Sequence, residues 1–193
     1  MKIRTSFVLL VIAAMLMIGG VRSSAQSGYD IFQKALAAER ADGNLPQAIE
    51  LYGRIIFAYG GGVLGVMARR VKGQWNENAK NWGAFDVLPE LNHNGVVGFP
   101  HPDIARDALT VLLLRSDRDN PRHKLRFDVT RELLDRASIP HKTLEFSGAS
   151  MLSEVLQLTL FTDYVSFYVA LLNGVDPSPV KSIDYLKDRL ARG

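Results

Sequence analysis

Apolar residues fall along the chain in blocks whose spacing changes from one block to the next. An unbroken apolar run from Phe7 to Ile18 comes first. Between residues 28 and 54 the spacing is helical: Phe32, Ala35 and Leu36 share a face, "DGN" at 42–44 makes a break, and Ala48, Leu51 and Tyr52 resume the pattern. "IIFAY" at 55–59 is a short aromatic and β-branched run suited to a buried strand. A glycine turn at 60–62 then opens a helical stretch, "VLGVMARRVKGQ". "ALTVLLL" at 108–114 reads as a second buried strand, and "KTLEFS" at 142–147 alternates like a third. A helix is predicted over 120–138, with Asn120 as N-cap and Pro121 in its first position, and a long apolar helix over 149–173. Strands alternating with helices predict an α/β fold, a three-layer sandwich whose parallel sheet is covered on both faces, behind an N-terminal helical pair.

Composition narrows the class. The 193 residues are 47% apolar and 22% charged, the balance of a globular chain, with room for one ordinary domain and a small appendage. There is no cysteine, which removes disulfides, thiolate nucleophiles and cysteine metal sites. Lys2 and Arg4 ahead of the first apolar run, with Ser23 and Ala25 at small-residue positions after it, make residues 1–25 a signal peptide pattern. The run is short for a membrane span, which takes ~20 apolar residues, although an uncleaved anchor is the alternative. Lys2, Arg4 and Arg22 are the leader's charges; without them 20 of the 23 basic residues face 20 acidic ones. A neutral mature chain gives no case for nucleic-acid binding. Cleavage of the leader would leave no stable membrane span.

Residues 26–54 and 55–193 divide the remainder. The helical pair resembles a tetratricopeptide repeat, with Gly43, Ala48 and Tyr52 at turn and second-helix positions, over less than one repeat. A lone pair cannot bury its face, so a helical arm packed on the remainder of the chain is preferred to a peptide-binding groove. Gly60, Gly62 and Gly65 fit the spelling G-x-G-x-x-G at a strand-to-helix turn. A dinucleotide fold would place an acid at the tip of a second strand about 20 residues on. The chain there runs instead into the polar loop "NENAKN", with no second strand on schedule. The glycines are therefore read as allowing a tight turn and close helix-to-strand packing.

The stretch from "AYGGGVLGVMARRVKGQ" through "NENAK" to "PELNHN" resembles the C-terminal sugar isomerase (SIS) domain of the bifunctional phosphoglucose/phosphomannose isomerase family. "GVDPSPVKSIDYLKDRL" resembles that family's closing loop and helix, so the likeness runs from about Ile55 to Arg192. It implies a Rossmann-like SIS fold and aldose-ketose isomerisation among glucose 6-phosphate, mannose 6-phosphate and fructose 6-phosphate. It also implies residue roles: Glu77 in "NENAK" as the base that carries a proton between neighbouring carbons, His93 in "LNHN" as the ring-opening group, and Lys187 in "YLKDR" as a helper for developing negative charge. A carboxylate and a histidine suit these tasks. Ser178 in "DPSPV" sits in a loop expected to face the sugar. No metal or cofactor is implied. His101, His123 and His141 are assigned loop or surface roles.

Family members carry two SIS domains, the N-terminal one supplying a serine and threonine phosphate cradle and an arginine. Here a leader and a helical pair stand in that place, so the resemblance implies a domain that is incomplete alone, or a non-catalytic sugar-phosphate-binding or interaction module. "NLPQAIELYGRI" is a candidate for the helix that leads into the first strand. The leader predicts export, whereas sugar-phosphate chemistry predicts the cytoplasm. The apolar stretch 155–172, whose one charged residue is Asp163, and the resemblance to a dimeric family predict a homodimer.

Overall fold

The computed structural model describes residues 44–193. The leader and the first helix of the predicted pair lie outside the described residues. Helix α1 (Asn44–Leu51) is followed by β1 (Ile55–Gly60), α2 (Gly62–Glu77), β2 (Gly83–Val87), 3-10 turns at Glu90–Asn92 and Gly95–Gly98, and α3 (Ala105–Ala108). Then come β3 (Leu109–Ser116), α4 (Pro121–Arg136), β4 (His141–Phe146), α5 (Met151–Leu172) and α6 (Lys181–Leu190). The four strands form one parallel sheet in the order β2-β1-β3-β4. Helices cover both faces, as the alternation of strand and helix patterns predicts.

Each central strand splits its side chains between two cores. Ile56, Ala58, Leu112 and Leu114 face a layer made by α1, α2 and α5. Phe57, Tyr59, Val111 and Leu113 face the thinner layer made by α4 and the segment after β2. Helix α1 buries Ala48 and Leu51 in the first core while Tyr52, just beyond it, is half exposed, so this helix packs as part of the α/β unit. Arg54, between α1 and β1, donates to the Thr110 hydroxyl at 3.1 Å and to the carbonyls of Arg106, Asp107 and Leu109. That fork ties the start of β1 to the turn that feeds β3. At α4 the Asn120 side chain accepts the His123 amide at 2.9 Å and Pro121 opens the helix, as their positions in the sequence predict.

The sequence pattern misses β2. "GAFDV" pairs parallel to β1 from Ile56 opposite Gly83 to Gly60 opposite Val87, so a second strand does follow the glycine turn, with Asp86 near its tip. Gly83 explains the omission: a Cβ there would stand 3.3 Å from the Ile56 carbonyl oxygen and from the Trp75 ring, so the glycine marks close packing inside a strand, where sequence reading takes it as a turn. The packing reading of the preceding glycines holds, since a Cβ on Gly60 would lie 2.3 Å from the Leu64 carbonyl oxygen.

Helix α5 is the one described helix long and apolar enough, by length and composition, to cross a membrane, and half of it is buried inside the domain. Leu158, Phe161, Val165, Tyr168 and Val169 pack in the first core. At its start Glu154 is fully buried. Its carboxylate accepts from the Ser116 hydroxyl and pairs with Arg118 Nε at 3.2 Å, and Arg118 also donates to the Gly148 carbonyl at 2.8 Å. The ends of β3 and β4 are thereby joined to α5. Arg118 is half exposed and can turn to water, whereas the buried Ser116 hydroxyl loses its acceptor and the site is left with a void, so Glu154→Ala is expected to destabilise the domain by ~1–3 kcal/mol. Urea unfolding checks this; an unchanged midpoint would show that the three groups do not hold the edge together.

Candidate active site

Helix α2 ends at Glu77, and residues 78–82 must turn the chain into β2 within a few positions. Such a turn leaves helix-end carbonyls without intrahelical partners. Amide side chains brace the turn that follows. Asn76 Nδ2 donates to the Asn81 carbonyl at 2.8 Å, and Asn173, just past α5, donates to the Ala79 carbonyl at 2.9 Å and to Asn81 Oδ1 at 3.0 Å. Asn78 reaches the Ser166 hydroxyl at 3.1 Å. One turn back, Arg70 makes two bonds to the Asp163 carboxylate, at 3.0 and 3.2 Å, with Gln74 adding a third. The asparagines of "NENAKN" thus fix the shape of the turn against α5.

Lys80 completes it. Its backbone is in the left-handed region at φ 56°, and its Nζ donates to the carbonyls of Glu77 at 2.7 Å, Pro177 at 3.0 Å and Pro179 at 2.7 Å. The Pro177–Pro179 loop is drawn against the end of α2, and between them opens a cleft of about 730 Å³. Glu77, Lys72, Asn76, Asp176 and Lys181 are among its lining residues, with Val175 and Ile183 as apolar walls. Glu77 is solvent-exposed, and no hydrogen bond or ion pair engages its carboxylate among the described residues. Ser178 is on the same loop: its amide donates to Asp176 Oδ1 at 2.8 Å. The Ser178 amide and hydroxyl, and more weakly the Lys80 ammonium, hold the Asp176 carboxyl below the usual carboxylate range. Lys187 lies on the helix that leaves this loop, α6, whose residues are all exposed.

His93 lies elsewhere. It comes after the 3-10 turn Glu90–Asn92, beyond the C-terminal end of β2, with its amide on the Glu90 carbonyl at 2.8 Å. Asn92 anchors the segment by donating to the Thr130 hydroxyl at 2.8 Å, leaving His93 exposed. Glu77 precedes β2 and His93 comes after it, so the two stand at opposite edges of the sheet, separated by a strand about 17 Å long. The structure therefore brings Glu77 together with the loop of Ser178 and the start of α6, and does not bring His93 to them. Lys80 and Asp176 are the residues of the cleft that sequence reasoning missed; Lys80 lies inside the "NENAK" motif, but only the fold shows that its ammonium crosses to another loop.

A second cavity, of about 340 Å³, lies on the other face under the segment that carries His93. Phe57, Tyr59, Phe85, Asp86, Phe99 and His101 are among its walls. Burial and then the charge of Asp86 push the Tyr59 hydroxyl well above its ordinary value, so it stays protonated. His141 opens β4 in a partly buried position with Nδ1 3.0 Å from the Ile139 carbonyl, and His123 lies in the first turn of α4. Among the described residues no cluster of three or more metal-ligating side chains forms.

Comparison with known proteins shows the family and agrees with the fold. The family model for the bacterial phospho-glucose isomerase C-terminal SIS domain matches residues 45–190. The chain is 37% identical over 145 residues to a bifunctional phosphoglucose/phosphomannose isomerase of Aquifex aeolicus, covering 75% of this chain and 45% of that protein. Its identity to the protein of that description from Caldicellulosiruptor bescii is 36% over 144 residues, covering 74% and 42%. Among solved structures, a glucose-6-phosphate isomerase like protein from Thermus thermophilus is similar in fold, with a TM-score of 0.56 at 19% identity over 75% of this chain and 46% of that one. The chain spans less than half the length of the curated relatives it matches.

The Asp176 carboxyl supplies a pH test of the loop. Because its folded value is lowered, its contribution to stability is complete above the unfolded aspartate value of ~3.9 and is lost as pH falls through the folded value. The carboxyl carbon resonance of Asp176 is expected to titrate with a midpoint below ~3.9. A midpoint at or above that value would mean that the Ser178 turn does not form in solution.

Proposed function

The chain belongs to the family of bacterial phosphoglucose isomerase C-terminal SIS domains, and from that membership we propose that it is the base-bearing part of an aldose-ketose isomerase acting on glucose 6-phosphate or mannose 6-phosphate and fructose 6-phosphate. The observation that carries the proposal is the free Glu77 carboxylate at the wall of a cleft that also holds Lys72, Lys80 and Lys181. Interconversion requires one base that removes the proton from C2 of the aldose, leaves a cis-enediol and returns the proton at C1. Glu77 takes this role. Lys187, further along the helix that bounds the cleft, is assigned to the charge that develops on oxygen, and Ser178, on the loop beside the cleft, to the sugar; both stand outside the lining and reach a substrate that extends beyond it. His93 moves a proton between the ring oxygen and its hydroxyl.

Glu77 and His93 stand at opposite edges of one sheet, so a site that uses both takes them from two chains. That supports a homodimer in which each cleft receives His93 of the partner subunit. Phosphate anchoring is the weak part. A dianion usually engages several backbone amides and hydroxyls, whereas Ser182 is the one hydroxyl side chain in the lining of this cleft. A separate SIS domain, of the kind that would make up the length of the relatives, is proposed to supply the rest. The second reading is a sugar-phosphate-binding module without turnover, favoured by the separation of Glu77 from His93.

The deciding experiment measures fructose 6-phosphate binding and isomerisation by the purified chain, with and without a separately produced N-terminal SIS domain. Alone, the chain is expected to give kcat/KM below the ~10⁴ M⁻¹s⁻¹ at which ordinary enzymes begin. Binding without conversion in both arms would favour the second reading, and no binding in either would sink both. Where activity is present, Glu77→Gln should abolish it with folding intact. Mixing equal amounts of Glu77→Gln and His93→Ala chains should restore about a quarter of the wild-type rate, since half the dimers would pair one intact Glu77 with one intact His93. No recovery after subunit exchange would place both residues in one chain or remove one of them from the site.

A further inference from the structure

We infer that Lys80 is the positioning residue of the cleft, setting the placement of the Pro177–Pro179 loop and of α6 against Glu77, an inference that rests on the isomerase reading only for its kinetic consequence. An ammonium has three N–H donors. Those of Lys80 go to the carbonyls of Glu77, Pro177 and Pro179, at 2.7, 3.0 and 2.7 Å. None remains for a substrate, so the residue acts through the two segments it joins. One is the end of α2, at the residue that carries the free carboxylate. The other is the loop that holds Ser178 and leads within two residues into α6.

The surroundings show how much depends on that junction. None of the α6 residues is buried, so packing does not fix where this helix stands. Ile183, Leu186 and Leu190 lie along it at helical spacing and are all exposed. Lys80 itself is held at φ 56°, a conformation unfavourable by about 1–2 kcal/mol for any residue with a Cβ. The charge also suits its place, because cations are favoured beside the C-terminal carbonyls of a helix.

The test uses the full chain with Lys80→Met, Lys80→Gly and Lys80→Arg. Hydrogen exchange of the amides at 178–187 is expected to quicken about tenfold in Lys80→Met, with the amides of α2 and α5 and the unfolding midpoint unchanged. Lys80→Gly relieves the left-handed backbone but lacks the ammonium, so it should match Lys80→Met. Lys80→Arg, which keeps charge and donors, should recover part of the protection. With the complementing N-terminal SIS domain present, kcat on fructose 6-phosphate should fall about tenfold in Lys80→Met with KM little changed, and Lys80→Arg should regain part of it. Unchanged exchange at 178–187, or exchange raised evenly through the domain, would overturn the inference. Wild-type chain that neither binds nor converts fructose 6-phosphate would overturn the isomerase reading instead, and the exchange data would still decide the role of Lys80.

Discussion

Parallel strands can be joined only by connections that run back across the sheet. Here that constraint sends α2 from the C-terminal edge of the sheet to its N-terminal edge, and α5, which follows the last strand, runs back the same way, so that the two end side by side with Asn173 on the Ala79 carbonyl. Two helix C-termini bring together carbonyls without intrahelical partners and the negative ends of two macrodipoles. Lys80 meets the Glu77 carbonyl at the end of α2, and Asn76 and Asn173 meet the carbonyls of Asn81 and Ala79 in the turn that follows. The Lys80 ammonium is thus a response to backbone electrostatics before it is anything to a ligand. The same constraint places Glu77 at this edge and carries His93, one strand later, to the other.

The two faces of the sheet are covered unequally, and this bears on how firmly each part of the proposed chemistry is held. The first core receives three helices, including the long α5, and α5 is tied to the strand ends by the buried Glu154. The second core receives α4, which buries only Phe127, Thr130 and Leu134, together with a segment of short 3-10 turns over a cavity of about 340 Å³. His93 rides on that thinner cover, fastened through Asn92 to Thr130. Fewer buried apolar contacts mean a lower free energy of local opening. The layer of α2 and α5 beside Glu77 is thus the more heavily packed of the two, and the segment that carries His93 the less.

How much of this was legible in the sequence depends on which signals are local. β1 and β3 announce themselves because burial on both faces leaves no room for polar positions, as "TVLLL" shows, and β4, at the edge, shows itself by alternation. β2 is an edge strand with Gly83 and Asp86 in it, and both residues mimic a loop. The motif around Glu77 was recognisable by resemblance, yet its asparagines look alike on paper whether they bind a sugar or the backbone. Their hydrogen bonds to Asn81, Ser166 and Ala79 depend on α5 returning to this edge, which no local pattern records. The same holds for the separation of Glu77 and His93: sixteen residues apart in sequence, they are parted by a strand the pattern did not contain. The apolar circumference of α5 predicts a helix covered nearly all round, and α1, α2 and the sheet cover much of it, leaving Leu152 and Leu171 among its exposed residues.

A carboxylate that removes a proton from carbon works best where water is excluded, because hydration stabilises the charged base and weakens it. Glu77 is exposed in an open cleft. The cleft has apolar walls at Val175 and Ile183, and Ile183 is also the first residue of the exposed stripe that continues through Leu186 and Leu190. A surface that covered this stripe would therefore close over the mouth of the cleft in the same movement, drying the carboxylate and strengthening the pull of Lys72 and Lys181 on a bound anion. Helix α6 has no such cover within the described residues, and its position is set by the loop that Lys80 holds. In the proposed enzyme, assembly with a further domain or a second chain is thus the step that converts an exposed acid into a base of useful strength, which places the control of activity in the docking of α6 as much as in the identity of Glu77.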